Sequence, residues 1–155
     1  MAEEIERKFL VAGDEWRRLA VSSQMLRQGY LSTVKERTVR VRIVDDEGFL
    51  TVKGITVGAT RAEFEYPIPG DDAAAMLDDL CERPLVEKTR HLVEHEGLTW
   101  EIDEFAGVNA GLIVAEVELE ADDQDVPLPP WVGAEVTADP RYFNANLIAH
   151  PYSEW

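Results

Sequence analysis

Residues 3–11 read EEIERKFLV, from Glu3 to Val11, and this stretch decides how the rest of the chain is read. As a β-strand its side chains alternate between two faces. Glu4, Glu6 and Lys8 then share one face, and Ile5, Arg7 and Phe9 the other. Two carboxylates and an amine on one face are unusual unless that face meets water or a ligand. The same arrangement recurs downstream. Arg40-Val41-Arg42, Thr51-Val52-Lys53 and Lys88-Thr89-Arg90 put cations at alternate positions. Glu63-Phe64-Glu65, Glu101-Ile102-Asp103 and Glu116-Val117-Glu118 do the same with carboxylates.

Alternation of this kind usually marks a half-buried strand with its charged face in water. Three features argue otherwise for the set. Neighbours on one face carry like charges, which repel across roughly 7 Å. The chain also contains helices with apolar sides, and the strand residues Ile5, Val41, Val52, Phe64, Ile102 and Val117 are their available partners, so the charged faces point away from the helices. If the sheet closes, they point inside. Finally, a dry core of mixed charges is costly, because buried charges need partners. A wet lumen that holds a ligand of mixed demands avoids that cost.

The strand count supports closure. Candidate strands cover 3–11, 25–32, 38–44, 49–55, 61–68, 85–93, 98–105 and 112–119. Hairpin signals lie at Asp45-Asp46-Glu47-Gly48 and Glu94-His95-Glu96-Gly97. A further loop spans 54–60. Helices are expected at 14–19, at 71–81 with Asp71 as N-cap, and at 141–149 after Pro140. The expected class is α+β, mainly antiparallel β: an eight-stranded β-barrel with helices packed outside. The 155 residues suggest one domain over the whole of 1–155.

Composition bounds the function. Hydrophobic residues make up 45%, which argues for an ordered globular core. Cys81 is the only cysteine, so no intrachain disulfide or cysteine zinc cluster forms, and packing is its expected role. Apolar runs are too short for a membrane-spanning helix, and the acidic start is unlike a signal peptide. A cytoplasmic setting is expected. The formal net charge of −16 repels nucleic acid and anionic membranes. An anionic ligand therefore needs a concentrated basic site. Lys8, Arg40, Arg42, Lys53, Lys88 and Arg90 supply one suited to a polyphosphate, with Arg forks and Lys point charges. The clustered carboxylates suit a hard divalent cation such as Mg²⁺ or Mn²⁺. His91 and His95 are four apart, but on a strand and turn they are no helical metal pair.

These motifs resemble the CYTH superfamily, the triphosphate tunnel metalloenzymes. The resemblance rests on Glu4-x-Glu6-x-Lys8 and on "QGYL", "TVRVR", "TVKG", "EFEYPIP", "EKTR", "WEIDEF", "GLIVAEVEL" and "EVTADPRYFNANLIAHPYSEW", in that order. It covers nearly the whole chain and is closest to the compact bacterial inorganic triphosphatases. It implies an eight-stranded tunnel and metal-dependent hydrolysis of a small triphosphate. By resemblance, Lys8, Arg40, Arg42, Lys53, Lys88 and Arg90 bind triphosphate, and Glu4, Glu6, Glu116 and Glu118 hold Mg²⁺ or Mn²⁺. Glu63, Glu65, Glu101 and Asp103 support them. Glu4 or Glu6 would act on the attacking water, with Lys8 and Lys88 also in the catalytic set. Tyr30 would contact substrate or a catalytic lysine, or be an ordinary barrel tyrosine. A class IV-type adenylate cyclase and a thiamine triphosphatase use the same scaffold. A non-catalytic polyphosphate-binding module is the reading of another class. Either a monomer or a homodimer is compatible with the sequence.

Overall fold

The computed structural model describes residues 2–155. Nine strands and three short helices follow in the order β1 (Glu3–Val11), α1 (Glu15–Leu19), β2 (Ser22–Ser32), β3 (Thr38–Val44), β4 (Glu47–Lys53), β5 (Thr60–Ile68), α2 (Gly70–Asp79), β6 (Val86–His95), β7 (Leu98–Phe105), β8 (Ile113–Glu118), β9 (Val132–Glu135) and α3 (Asn146–Ala149). The sheet runs β5-β4-β3-β2-β6-β7-β8-β1-β9, and β1 also pairs with β5. That last pairing closes eight strands into an antiparallel barrel, as the alternation implied.

Closure is uneven. β6 and β7 pair from Lys88 with Phe105 to His95 with Leu98. β1 and β5 pair only at Glu3, Glu4 and Ile5 with Ala62, Arg61 and Thr60. Further along the same edge of β1, β9 pairs with Phe9 and Val11. The hairpins are tight: Glu96 and Gly97 form the β6–β7 turn with φ of 47° and 82°. Positive φ at both positions matches the right-handed twist of the flanking strands.

Outside, two apolar layers cover the wall. α2 sets Ala73 and Leu77 on Val41, with Ile43, Leu50 and Ile68 around them. It sits flush on β4 because Gly48 has no side chain: a Cβ there would lie 2.7 Å from that of Ala73. A second layer joins Trp16 of α1 to Phe9, Trp100, Ile102, Val117 and Trp131. The helical cover is incomplete. Phe64 and Tyr66 on the outer face of β5 are exposed at 43% and 57%. The expectation that helices cover Phe64 therefore fails. α2 lies over β3 and β4 and does not reach that far.

The C-terminal segment also departs from expectation. A helix over 141–149 is replaced by a 3-10 turn at Pro140–Tyr142 and the single turn of α3. The 143–145 stretch between them stays out of the helix. Tyr142, Leu147 and Ile148 are thereby turned onto Tyr30, Val86, Phe105, Leu112 and Val114. Strand alternation places Tyr30, Val86, Phe105 and Val114 on the inward face, so this cluster fills one end of the barrel.

Candidate active site

The other part of the interior stays open. A cavity of about 570 Å³ is lined by the inward residues of β1 and β3–β8, with Tyr30 from β2. Among them are Glu4, Glu6, Lys8, Arg40, Arg42, Lys53, Glu63, Glu65, Lys88, Arg90, Glu101, Glu116 and Glu118. Thirteen of the fourteen alternating charged residues thus share one space. Asp103, the fourteenth, is fully buried behind it. This answers the puzzle of the opening stretch: Glu4, Glu6 and Lys8 face the lumen, while Phe9 faces the outer core.

The charges sort by strand. The acidic wall is made by β1 and β8, where Glu6 pairs with Glu118 and Lys8 with Glu116 in register. Lys8 Nζ lies 3.7 Å from Glu6 and 3.5 Å from Glu116. Lys53 donates to both oxygens of Glu4, at 2.9 and 3.1 Å, and lies 3.3 Å from Glu63. Burial, then the charges of Glu116 and Glu4, push the Glu6 carboxyl up to about 8, against Lys8 and Lys53. Burial likewise raises Glu4, against Lys53.

The basic wall is made by β3 and β6. Arg90 donates through Nε and Nη2 to both oxygens of Asp103, at 2.8 and 2.9 Å, and through Nη1 to Glu101 at 2.9 Å. Lys88 lies 2.7 Å from Asp103, both side chains being essentially inaccessible. Burial presses Lys88 down to about 8 even though Asp103 opposes it. Asp103 is itself held well below the usual range: Arg90 and Lys88 outweigh its burial. Arg40 donates to Thr51, which in turn donates to Glu65 at 2.8 Å. Arg40 Nε is buried with no hydrogen-bond partner. The only side-chain hydrogen bond Arg42 makes among the described residues is from Nε to Gln28, at 3.0 Å. Burial and the like charges of Arg40 and Arg90 lower its pKa. A guanidinium stays protonated nonetheless, so positive charge here is under-compensated, which favours an anion.

A sequence profile of the CYTH domain matches residues 2–152. The chain belongs to the CYTH family. An inorganic triphosphatase of Acetivibrio thermocellus is 48% identical to this CYTH chain over 155 residues, covering 100% of it and 99% of the relative. One from Nitrosomonas europaea is 40% identical over 148 residues, covering 93% and 95%. The crystal structure of an inorganic triphosphatase superposes with a TM-score of 0.65 at 37% identity, covering 94% of this chain and 97% of that one.

The CYTH cavity holds groups that the alternation argument did not reach. Arg61 lies two residues before Glu63 on the same inward face and donates to Gly54 O and Thr38 Oγ1. Its signal was in the sequence, since Arg61-Ala62-Glu63 continues the alternation. Lys35 lies in the β2–β3 loop and gives no such signal. Phe143 and Asn144 come from the C-terminal segment; Lys8 Nζ sits 5.7 Å from the centre of the Phe143 ring. Tyr30 both lines the cavity and packs in the apolar plug.

Glu4, Glu6, Glu116 and Glu118 form an all-oxygen donor set, which suits a hard divalent cation. Among the described residues no three such groups converge at coordinating distance. Lysines partner Glu4, Glu6 and Glu116 instead. Burial, then the charges of Glu116 and Glu4, raise Glu6, and a dication would offset both, so the chemistry of the donor set fits one although the carboxylates are not drawn together.

Proposed function

We propose that this protein hydrolyses inorganic triphosphate to pyrophosphate and phosphate, with the whole of residues 1–155 acting as one CYTH domain. The observation that carries the reading is one cavity with a basic wall and a carboxylate wall, in a chain otherwise strongly acidic. Arg40, Arg42, Lys53, Lys88 and Arg90 would hold the phosphates and balance charge on the leaving pyrophosphate. Phosphoryl transfer asks chiefly for such positioning and charge stabilisation. Glu63, Glu65, Glu101 and Asp103 support this by fixing the cations to which they are bonded. Lys8 would balance the acidic wall and contact the phosphate beside it.

Glu4, Glu6, Glu116 and Glu118 would hold Mg²⁺ or Mn²⁺, which when bound lowers the pKa of water and neutralises phosphate oxygens. Glu4 or Glu6 would accept the proton of the attacking water. Tyr30, at the border between cavity and plug, would fix the substrate or Lys88. A cytoplasmic protein, as monomer or homodimer, is the form we infer; no described helix is long and apolar enough to cross a membrane.

The test is phosphate release from inorganic triphosphate, thiamine triphosphate and ATP, each with Mg²⁺, Mn²⁺ or EDTA. Metal-dependent release, fastest from inorganic triphosphate, is expected. Cyclic AMP with pyrophosphate from ATP would replace hydrolysis by cyclisation. Tight binding of triphosphate without turnover would leave a binding module.

A further inference from the structure

The C-terminal segment does more than fill the barrel. The side chain of Asn144 enters the basic wall. Its Oδ1 accepts from Lys88 Nζ at 2.8 Å and from Gln28 Nε2 at 3.1 Å. Gln28 is fully buried, and its Oε1 accepts from Arg42 Nε at 3.0 Å. On the other side, Lys88 meets Asp103, which clamps Arg90. One continuous network therefore runs from Arg90 through Asp103, Lys88, Asn144 and Gln28 to Arg42. It joins three cations that line the cavity on two strands, and two amides from outside those strands, Asn144 of the C-terminal segment and Gln28 of β2, bridge Lys88 to Arg42.

The chemistry of that bridge is specific. Lys88 and Arg42 are like charges and cannot bond each other. The Gln28 carbonyl oxygen accepts from Arg42, and its buried amide NH2 needs an acceptor elsewhere. A neutral carbonyl oxygen with two lone pairs serves both Gln28 and Lys88 without cancelling the positive charge a phosphate needs. A carboxylate there would cancel it, and a hydroxyl would not reach as far. We propose that Asn144 is a positioning residue, which sets Lys88 directly and Arg42 through Gln28 for binding of a phosphate chain. The proposal rests on the reading of this wall as the triphosphate site.

The decisive experiment uses the full-length protein and Asn144→Ala, Gln28→Ala and the double variant, with Arg40→Ala as control. Asn144→Ala should raise KM for inorganic triphosphate about tenfold, the scale of one lost hydrogen bond to a charged group. kcat should fall less than threefold. A residue that merely seals the barrel would lower the melting temperature and the active fraction and leave KM unchanged. The double variant should show less than the sum of the two single effects, because the Arg42 branch runs through both residues. Asn144→Asp should keep the geometry yet raise KM by adding negative charge. In parallel, ¹H–¹⁵N spectra of the Lys88 ammonium and the Arg42 Nε should shift in Asn144→Ala. Unmoved spectra, or additive KM effects, overturn the proposal. If wild type and Arg40→Ala handle triphosphate alike, the substrate reading fails, and the spectra still decide whether Asn144 organises these cations.

Discussion

The two ends of the barrel interior are built from the same strands and behave oppositely. On β6, Val86 points inward at one end and Arg90 toward the other, with Lys88 between. β7 runs the same way from Phe105 through Asp103 to Glu101, and β8 from Val114 to Glu116 and Glu118. Where the inward residue is apolar, Tyr142, Leu147 and Ile148 fill the space. Where it is charged, the lumen stays open. Closing a barrel thus fixes which residues face inward, and their chemistry then decides between core and site. Lys88 and Asp103 mark the border, since the Lys88 ammonium lies 5.3 Å from the centre of the Phe105 ring.

The largest effect should come from breaking that border. Asp103→Asn leaves Lys88 buried without its counter-ion and Arg90 with Glu101 and the more distant Glu116 alone. We expect a loss of about 3–5 kcal/mol in urea unfolding and near-complete loss of activity. Unaltered stability would show that the pair is not the anchor of the charged end.

Next comes the apolar end. Leu147→Ala removes a fully buried side chain from the plug and should cost about 2–4 kcal/mol. KM should rise only as far as the segment carrying Asn144 loosens. A stability loss with unchanged KM would uncouple the two ends.

A smaller effect sharpens the contrast by its sign. Glu6→Gln removes one of the crowded carboxylates whose repulsion and burial raise Glu6. In EDTA at pH 7 the variant should be more stable than wild type by about 1–2 kcal/mol, and it should lose metal-dependent turnover. A destabilised variant would show that Lys8 pairing outweighs the repulsion.

The smallest effect is in pH. Lys88 is pressed down to about 8, from an ordinary 10.5. The free enzyme therefore loses this cation as pH rises through about 8, and kcat/KM should fall there. The stability contribution has the opposite slope. Between about 8 and 10.5 the unfolded chain binds the proton that the folded one has released, so this group favours folding more as pH rises. Lys88→Arg should abolish the alkaline fall in kcat/KM. A persistent fall would assign it to another group.

The sequence by itself determined the barrel and most of its lining. A β-strand has a two-residue period, so Arg40-Val41-Arg42 or Glu116-Val117-Glu118 commits each residue to a face without knowledge of its neighbours. Helical cover on one side then makes the charged side internal. Arg61 was legible by the same rule. Tertiary structure alone decided the rest. β9, with the sequence VGAE, has little alternation; it is a strand because β1 leaves that edge unpaired. The segment after Pro140 has helix-like composition, but filling the barrel end breaks it into a 3-10 turn, an extended step and one helical turn. That break delivers Asn144 to Lys88. Its contacts span 56 and 116 residues of chain, and no local pattern records a meeting that only the closed barrel brings about.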